Sequence, residues 1–176
     1  LELNGKKYYF NKSTGVQVKG WVKDSSGKAI RYFTSGAGYM VTGFITDSNG
    51  NTRHFDEKTG LMTRGWLTDS DDYKYYFYSG SGVMAKGWVE NKQEQKRYFS
   101  QSNGRMCTGW TKSTAGNYRY FKPSNGIMYV GLEKVGSDYY YFSKTTGVRY
   151  QKGFGTVGSK KYYFDPSDGK AKIGWL

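Results

Sequence analysis

The sequence predicts an all-β solenoid, a superhelix of about eight stacked β-hairpins of about 22 residues each. Three observations predict it. Aromatic boxes end at Phe10, Phe33, Phe55, Phe77, Phe99, Phe121, Phe142 and Phe164, at spacings of 23, 22, 22, 22, 22, 21 and 22 residues. A glycine follows each of these phenylalanines at the fifth position, from Gly15 to Gly169. All five methionines, Met40, Met62, Met84, Met106 and Met128, fall in one register two places after that glycine.

Each unit divides into the same parts. Between the box phenylalanine and its glycine lie turn formers such as Ser100-Gln101-Ser102-Asn103, and both prolines, Pro123 and Pro166, sit two places after the phenylalanine. A glycine in one register of every unit marks a backbone site that needs φ > 0, so a tight turn is expected there. The Met segment follows, then a glycine and a large apolar residue: Trp21, Phe44, Trp66, Trp88, Trp110, Leu132, Phe154 and Trp175. A short apolar run, a second polar turn such as Asp47-Ser48-Asn49-Gly50, and the aromatic box complete the unit. Aromatic and β-branched residues flank the second turn, so Gly-Trp to Tyr-Phe reads as a β-hairpin and the Met segment as the loop to the next one. No stretch holds a 3.6-residue apolar period, and almost no helix is expected.

Composition narrows the function classes. Aromatic residues make up 19% of the chain and all hydrophobic residues only 36%, which suits a thin stacked core better than one thick one. There is no apolar run long enough for a membrane-spanning helix, and Leu1 opens no recognisable signal peptide. The chain starts and stops within a repeat, so it is expected to be one repeat module, residues 1–176, cut from a larger protein. Cys107 is the sole cysteine, which leaves no internal disulfide and no multi-cysteine metal site. One histidine, one cysteine and no clustered carboxylates lack the pairs that acid–base or nucleophilic catalysis needs, so neither an enzyme nor a cofactor is expected. The net charge of +13 favours anionic polymers such as teichoic acid, or serves as a solubilising surface. Nucleic acid is disfavoured, since no recognition motif accompanies the charge.

The repeat resembles the cell-wall-binding repeats of Gram-positive bacteria over essentially the whole chain. That superfamily takes in choline-binding repeats, glucan-binding repeats of glucosyltransferases, and carboxy-terminal repeats of clostridial toxins. The resemblance rests on Gly87-Trp88, Tyr75-Tyr76-Phe77 and Gly82-Val83-Met84-Ala85-Lys86-Gly87, repeated eight times with variations. It implies a secreted or cell-surface binding array without catalysis, with ligand sites between successive units. Choline-binding repeats carry a further tryptophan three places before the box phenylalanine, as part of a choline cage. Here that position holds Lys7, Ile30, Thr52, Lys74, Lys96, Tyr118, Tyr139 and Lys161. Only Tyr118 and Tyr139 can stand in for the ring, so a sugar is expected before choline.

The candidate ligand-binding residues follow from sugar chemistry, in which ring C–H faces stack on aromatic side chains and hydroxyls take hydrogen bonds. Trp66, Trp88 and Trp110 with Tyr76, Tyr98 and Tyr120 supply rings that suit either a ligand platform or the stacking core. Met84, Met106 and Met128 are candidates for the floor of each site, or for adaptable core filling. Lys86 and Arg97 represent two periodic rows of cations, Lys19, Arg64, Lys86, Lys152 and Arg31, Arg53, Arg97, Arg119, suited to a wall polymer or to protecting strand edges. His54, in a box-tyrosine position, reads as a drifted aromatic, and Asp69-Ser70-Asp71-Asp72 lacks the pattern of a calcium loop. The expected ligand is a glucan, a cell-wall glycan or an anionic wall polymer; the alternative is a toxin- or adhesin-type array for host-cell glycans. Open hairpin edges at the two ends allow an oligomer.

Overall fold

In a computed structural model, which describes residues 1–27 and 30–173, the chain is all-β. Among the described residues sixteen strands pair as eight antiparallel two-stranded hairpins. They are β1 (Glu2–Leu3) with β2 (Lys6–Lys7), β3 (Gly20–Lys23) with β4 (Ile30–Phe33), and β5 (Gly43–Thr46) with β6 (Thr52–Phe55). Then come β7 (Gly65–Thr68) with β8 (Lys74–Phe77), β9 (Gly87–Glu90) with β10 (Lys96–Phe99), and β11 (Gly109–Lys112) with β12 (Tyr118–Phe121). The last are β13 (Gly131–Val135) with β14 (Asp138–Phe142), and β15 (Gly153–Val157) with β16 (Lys160–Phe164). The repeated Gly-Trp…Tyr-Phe hairpin is therefore the structural unit. Trp175 lies outside the described residues.

The chain divides into two compact units, Leu1–Ala85 and Lys86–Leu176. Within each unit the same packing rule operates. In every hairpin from β3 onwards, the glycine before the large apolar residue pairs with the box phenylalanine, as Gly65 with Phe77 and Gly109 with Phe121. One hairpin face thus carries the phenylalanine, and the other carries the tryptophan opposite the box tyrosine. The tryptophan face of one hairpin lies on the phenylalanine face of the next. In the first unit the Trp21 and Phe55 rings are 6.0 Å apart, and those of Phe44 and Phe77 6.2 Å. In the second, Trp88 lies 6.0 Å from Phe121 and Trp110 5.8 Å from Phe142. The phenylalanines are the core: Phe77, Phe99, Phe142 and Phe164 are wholly inaccessible. Burying each such ring is worth roughly 2–3 kcal/mol.

The Met segment does more than join hairpins. It bridges antiparallel to its own box phenylalanine, as Phe55 to Met62 and Phe121 to Met128. Its backbone also reaches the preceding hairpin: Met62 N–H donates to Ile30 O at 2.8 Å, Met84 N–H to Thr52 O at 2.7 Å, and Met128 N–H to Lys96 O at 2.8 Å. A second set of bonds crosses the same joints. Arg31, Arg53, Arg97 and Arg119 each donate Nε–H to a turn carbonyl of the next repeat, those of Thr59, Ser81, Asn125 and Thr146, at 2.8, 3.2, 2.8 and 2.9 Å. This arginine row is a set of staples between repeats, a role beyond the two that composition and periodicity suggested.

The turn glycine has two reasons to be glycine. At Gly126 φ is +69°, as the turn requires, and the Met106 thioether of the preceding repeat lies where a Cβ would stand. Gly60, Gly82 and Gly147 seat Met40, Met62 and Met128 in the same way. Gly126→Ala is expected to cost more than the roughly 1–2 kcal/mol of a left-handed alanine, and Met106→Ala to recover the steric part of that loss, read as coupling in a denaturant-unfolding double-mutant cycle. The hairpin turns give a converse case: Glu94 holds φ +59° where Gly116 holds +79° in the next repeat. Glu94→Gly is expected to raise unfolding stability by about 1 kcal/mol in the same assay.

Candidate functional site

The register that puts each tryptophan opposite a box tyrosine builds one aromatic pair per hairpin. Trp66 pairs with Tyr76, Trp88 with Tyr98, and Trp110 with Tyr120. Their ring centroids are 5.2, 5.0 and 5.1 Å apart, all edge-to-face, a geometry that favours contact between ring edge and ring face. The pairs differ sharply from the phenylalanines in exposure. Trp21, Trp66, Trp88 and Trp110 remain 52%, 49%, 48% and 39% accessible, and their tyrosine partners are half-buried. Each tryptophan is held at one edge and bare on another.

Hollows adjoin these rings. One of about 380 Å³ is lined by Trp88, Glu90, Lys96, Arg119, Met128 and Thr146. Another, of about 560 Å³, shares Trp88 and Arg119 and adds Tyr98, Gln101, Cys107 and Thr111. Trp88 thus walls two hollows of ligand size. Arg119 places its guanidinium carbon 5.4 Å from the Trp88 ring centre, and Arg53 stands likewise 5.5 Å from Trp21. At the next joint Trp110 meets Tyr140 at 4.9 Å, and Arg149 lies 5.3 Å from Trp110 and 4.4 Å from Tyr118.

The other sequence candidates fall elsewhere. Met84 is buried in a cluster with Tyr75, Phe77 and Leu67, so it fills core. Met106 bridges to Phe99 and packs its thioether at Gly126. Of the three candidate methionines, Met128 is the one that reaches the Trp88 hollow. Arg97 is half-buried and committed to Asn125 O, while Lys86 is exposed. The guanidinium groups over the tryptophan rings went unseen in the sequence. The signal was present in the residues two places before the box phenylalanine, but periodicity alone does not say which neighbouring face they meet.

His54 takes the place of the box tyrosine opposite Phe44, with ring centres 4.8 Å apart, and its Nδ1 shares a 2.7 Å hydrogen bond with Thr63 Oγ1. Burial pushes its pKa below the ordinary imidazole value, against the smaller opposing pull of Glu57 and Asp56. Cys107 is half-buried, and burial pushes its thiol up. Asp69 uses its carboxylate to accept the N–H groups of Asp71 and Tyr73, which fastens a hairpin turn. Among the described residues no group of three or more histidine, cysteine or acidic side chains is arranged to hold a metal ion.

The choline-binding repeat family model matches residues 2–43 and 94–131, and that of the putative cell wall binding repeat matches residues 65–84 and 152–171. The chain belongs to the cell-wall-binding repeat family. Solved structures of this family superpose along nearly its whole length. CbpJ from Streptococcus pneumoniae is 29% identical over 94% of the chain, with a TM-score of 0.78. Choline binding protein F from Streptococcus pneumoniae is 26% identical over 98% of the chain, with a TM-score of 0.82. A structure of that same protein in the presence of a peptidoglycan analogue, a tetrasaccharide-pentapeptide, aligns at 25% identity over 96% of the chain, with a TM-score of 0.78. The chain spans 56% of the length of each of these structures. No curated protein sequence matches it.

The family repeat here accommodates a titrating side chain in a ring position, and this has a pH signature. The unfolded chain binds the His54 proton more readily than the folded chain, so stability is complete above the ordinary imidazole pKa of 6.5 and falls as pH drops through that value. Unfolding midpoints measured from pH 7.5 to 5 are expected to decline, and His54→Tyr is expected to flatten the decline. That window lies above the titration of Asp47 and Asp56, whose pKa values hydrogen bonds from Arg53 and Thr59 lower further.

Proposed function

We propose that this chain is a non-catalytic binding module whose eight repeats act together to hold a cell-wall glycan at the surface of the cell. The half-exposed tryptophans carry the reading. A residue needed only for packing would be driven inward like the phenylalanines, yet the tryptophans expose about half their surface in one register of both units. Trp66, Trp88 and Trp110 with Tyr76, Tyr98 and Tyr120 are the proposed contact rings. Each pair offers a fixed apolar face for a sugar ring, with Lys86 and the hollow-lining Lys96, Glu90 and Thr146 as hydrogen-bonding neighbours. The related choline binding protein F, solved with a peptidoglycan analogue, supports a wall glycan as the ligand class.

A second reading, an anionic wall polymer such as teichoic acid, is favoured by the net charge of +13. The two differ in their response to salt. A stacked neutral glycan survives raised ionic strength, whereas binding dominated by phosphate contacts weakens steeply as the charges are screened. The test is binding to purified cell walls, dextran and teichoic acid at low and high salt, for wild type and Trp88→Ala. Salt-resistant binding to a glycan, weakened about tenfold by Trp88→Ala, is expected. Undiminished binding by a folded Trp88→Ala and its Trp66→Ala and Trp110→Ala counterparts would sink the ring-stacking reading. Loss of all binding at high salt would select the anionic polymer.

A further inference from the structure

The joints at Trp88 and Trp110 have the same four walls, filled by different chemistry. The first wall is the tryptophan itself. The second, three places before the box phenylalanine of the same hairpin, is Lys96 at one joint and Tyr118 at the other. The third, two places before the phenylalanine of the next hairpin, is Arg119 or Tyr140. The fourth, in the Met register after that hairpin, is Met128 or Arg149. At the Trp88 joint two cations and a thioether surround one tryptophan, and a hollow of about 380 Å³ stays open. At the Trp110 joint the balance is inverted, with three aromatic rings and a single cation.

Three rings converging on one point form the environment that holds a quaternary ammonium, because ring faces attract a cation that has shed its water. Here a cation already stands against two of the rings, and the third packs on Trp110. The guanidinium carbon of Arg149 is 4.4 Å from the Tyr118 ring centre and 5.3 Å from that of Trp110. Trp110 is itself 4.9 Å from Tyr140 in an edge-to-face contact. The chain holds Arg149 firmly in this position. Its backbone N–H donates to Tyr118 O at 2.8 Å, and one terminal nitrogen donates to Gln151 Oε1 at 2.6 Å. Its Cδ and Nε crowd Gly169, the seat that a methionine takes at Gly147. Its Nε is buried with no hydrogen-bond partner among the described residues. Leaving that donor unpaired has a cost, so contact with the rings, not hydrogen bonding at Nε, is what favours the position.

We infer that Arg149 is a specificity-determining residue: its guanidinium fills the aromatic cage of Trp110, Tyr118 and Tyr140 from within the chain, and so bars choline and other quaternary ammonium ligands from this joint. A methionine at 149 would end, like Met128, as a neutral thioether at its glycine and leave the three ring faces open. The plug is independent of which glycan the exposed tryptophan edges take, since it concerns a different ligand class and a different face of Trp110.

The test uses the full chain and choline chloride, with tetramethylammonium as a second probe and sodium chloride as the ionic-strength control. Tryptophan fluorescence and thermal unfolding are read together. Wild type is expected to show no choline response that Trp110→Ala removes. Arg149→Met is expected to gain one at millimolar choline, with quenched fluorescence and a Tm raised by about 3 °C near tenfold saturation. Tyr118→Ala in that background is expected to abolish the gain. Arg149→Gln, shorter than arginine and uncharged, carries the same test if Arg149→Met unfolds. A folded Arg149→Met or Arg149→Gln that stays silent overturns the inference, and so does a wild-type choline response that Trp110→Ala removes. Failure of the glycan-binding assay leaves these readouts untouched.

Discussion

The laying of one hairpin's tryptophan face on the next hairpin's phenylalanine face is the interaction on which the rest of this structure depends. A two-stranded hairpin cannot bury enough apolar surface to be stable alone. Each of the seven from β3 onwards has one strongly apolar residue that is buried from water, the box phenylalanine, and only a neighbour can cover it. In the first unit Trp21 lies over Phe55 and Phe44 over Phe77; in the second Trp88 lies over Phe121 and Trp110 over Phe142. Stability in such an array resides in the joints between repeats more than within the repeats themselves. The covering tryptophan stays half exposed while the phenylalanine beneath it is buried, so the proposed binding surface lies on the residue that also caps the core.

The Met register shows how tightly the same joint constrains its other members. The turn glycine must take a positive φ, and the space a Cβ would have filled receives the side chain of the preceding repeat. Methionine suits this seat because it is unbranched and adapts to an irregular gap. Glutamine at 17 and arginine at 149 occupy equivalent seats, at Gly38 and Gly169, so the seat tolerates different chemistry provided the side chain is straight. That tolerance frees the terminal atoms to vary. At Met128 they line an open hollow, and at Arg149 they close one.

Much of this was legible in the sequence because it is periodic. The box phenylalanines, the turn glycines and the pairing of Gly-Trp with Tyr-Phe follow from spacing and residue type, and the hairpins β3 through β16 begin and end at those signals. The positive φ at Gly15 and its seven counterparts follows from glycine recurring in one register. What spacing could not give is the contact between repeats. Arg97 and its equivalents look like free surface cations until the turn carbonyls of the next repeat come within reach. Met84 and Met106 sit in the same register as Met128, yet only the fold separates buried filler from cavity wall. Tyr118 was recognisable as the ring standing at a cage position; its occupant, Arg149, is 31 residues further along and belongs to another repeat. The glycine before the large apolar residue that opens each hairpin from β3 onwards also adopts positive φ, from Gly20 to Gly153.

The fate of the cations bears on how a basic chain meets a polymer. A net charge of +13 suggests a surface ready to grip phosphate, but many of the groups that produce it are already engaged. Arg31, Arg53, Arg97 and Arg119 donate to carbonyls, Arg149 faces rings, and Lys170 and Lys172 pair with Asp138 and Asp165 at 3.2 and 2.9 Å. Hydrogen bonding to a carbonyl uses a donor without neutralising the charge, whereas the lysine pairs, and the pair that Arg53 also makes with Asp47 at 2.9 Å, remove theirs from the far field. The staples therefore leave a positive potential over the repeats while restricting the guanidinium groups from closing on a ligand. Such a field speeds the approach of an anionic wall and is screened by salt. Residence, on the proposed reading, depends on the close contacts that the exposed ring edges would provide. On that reading composition governs the encounter, and the register of the aromatic pairs governs what is held.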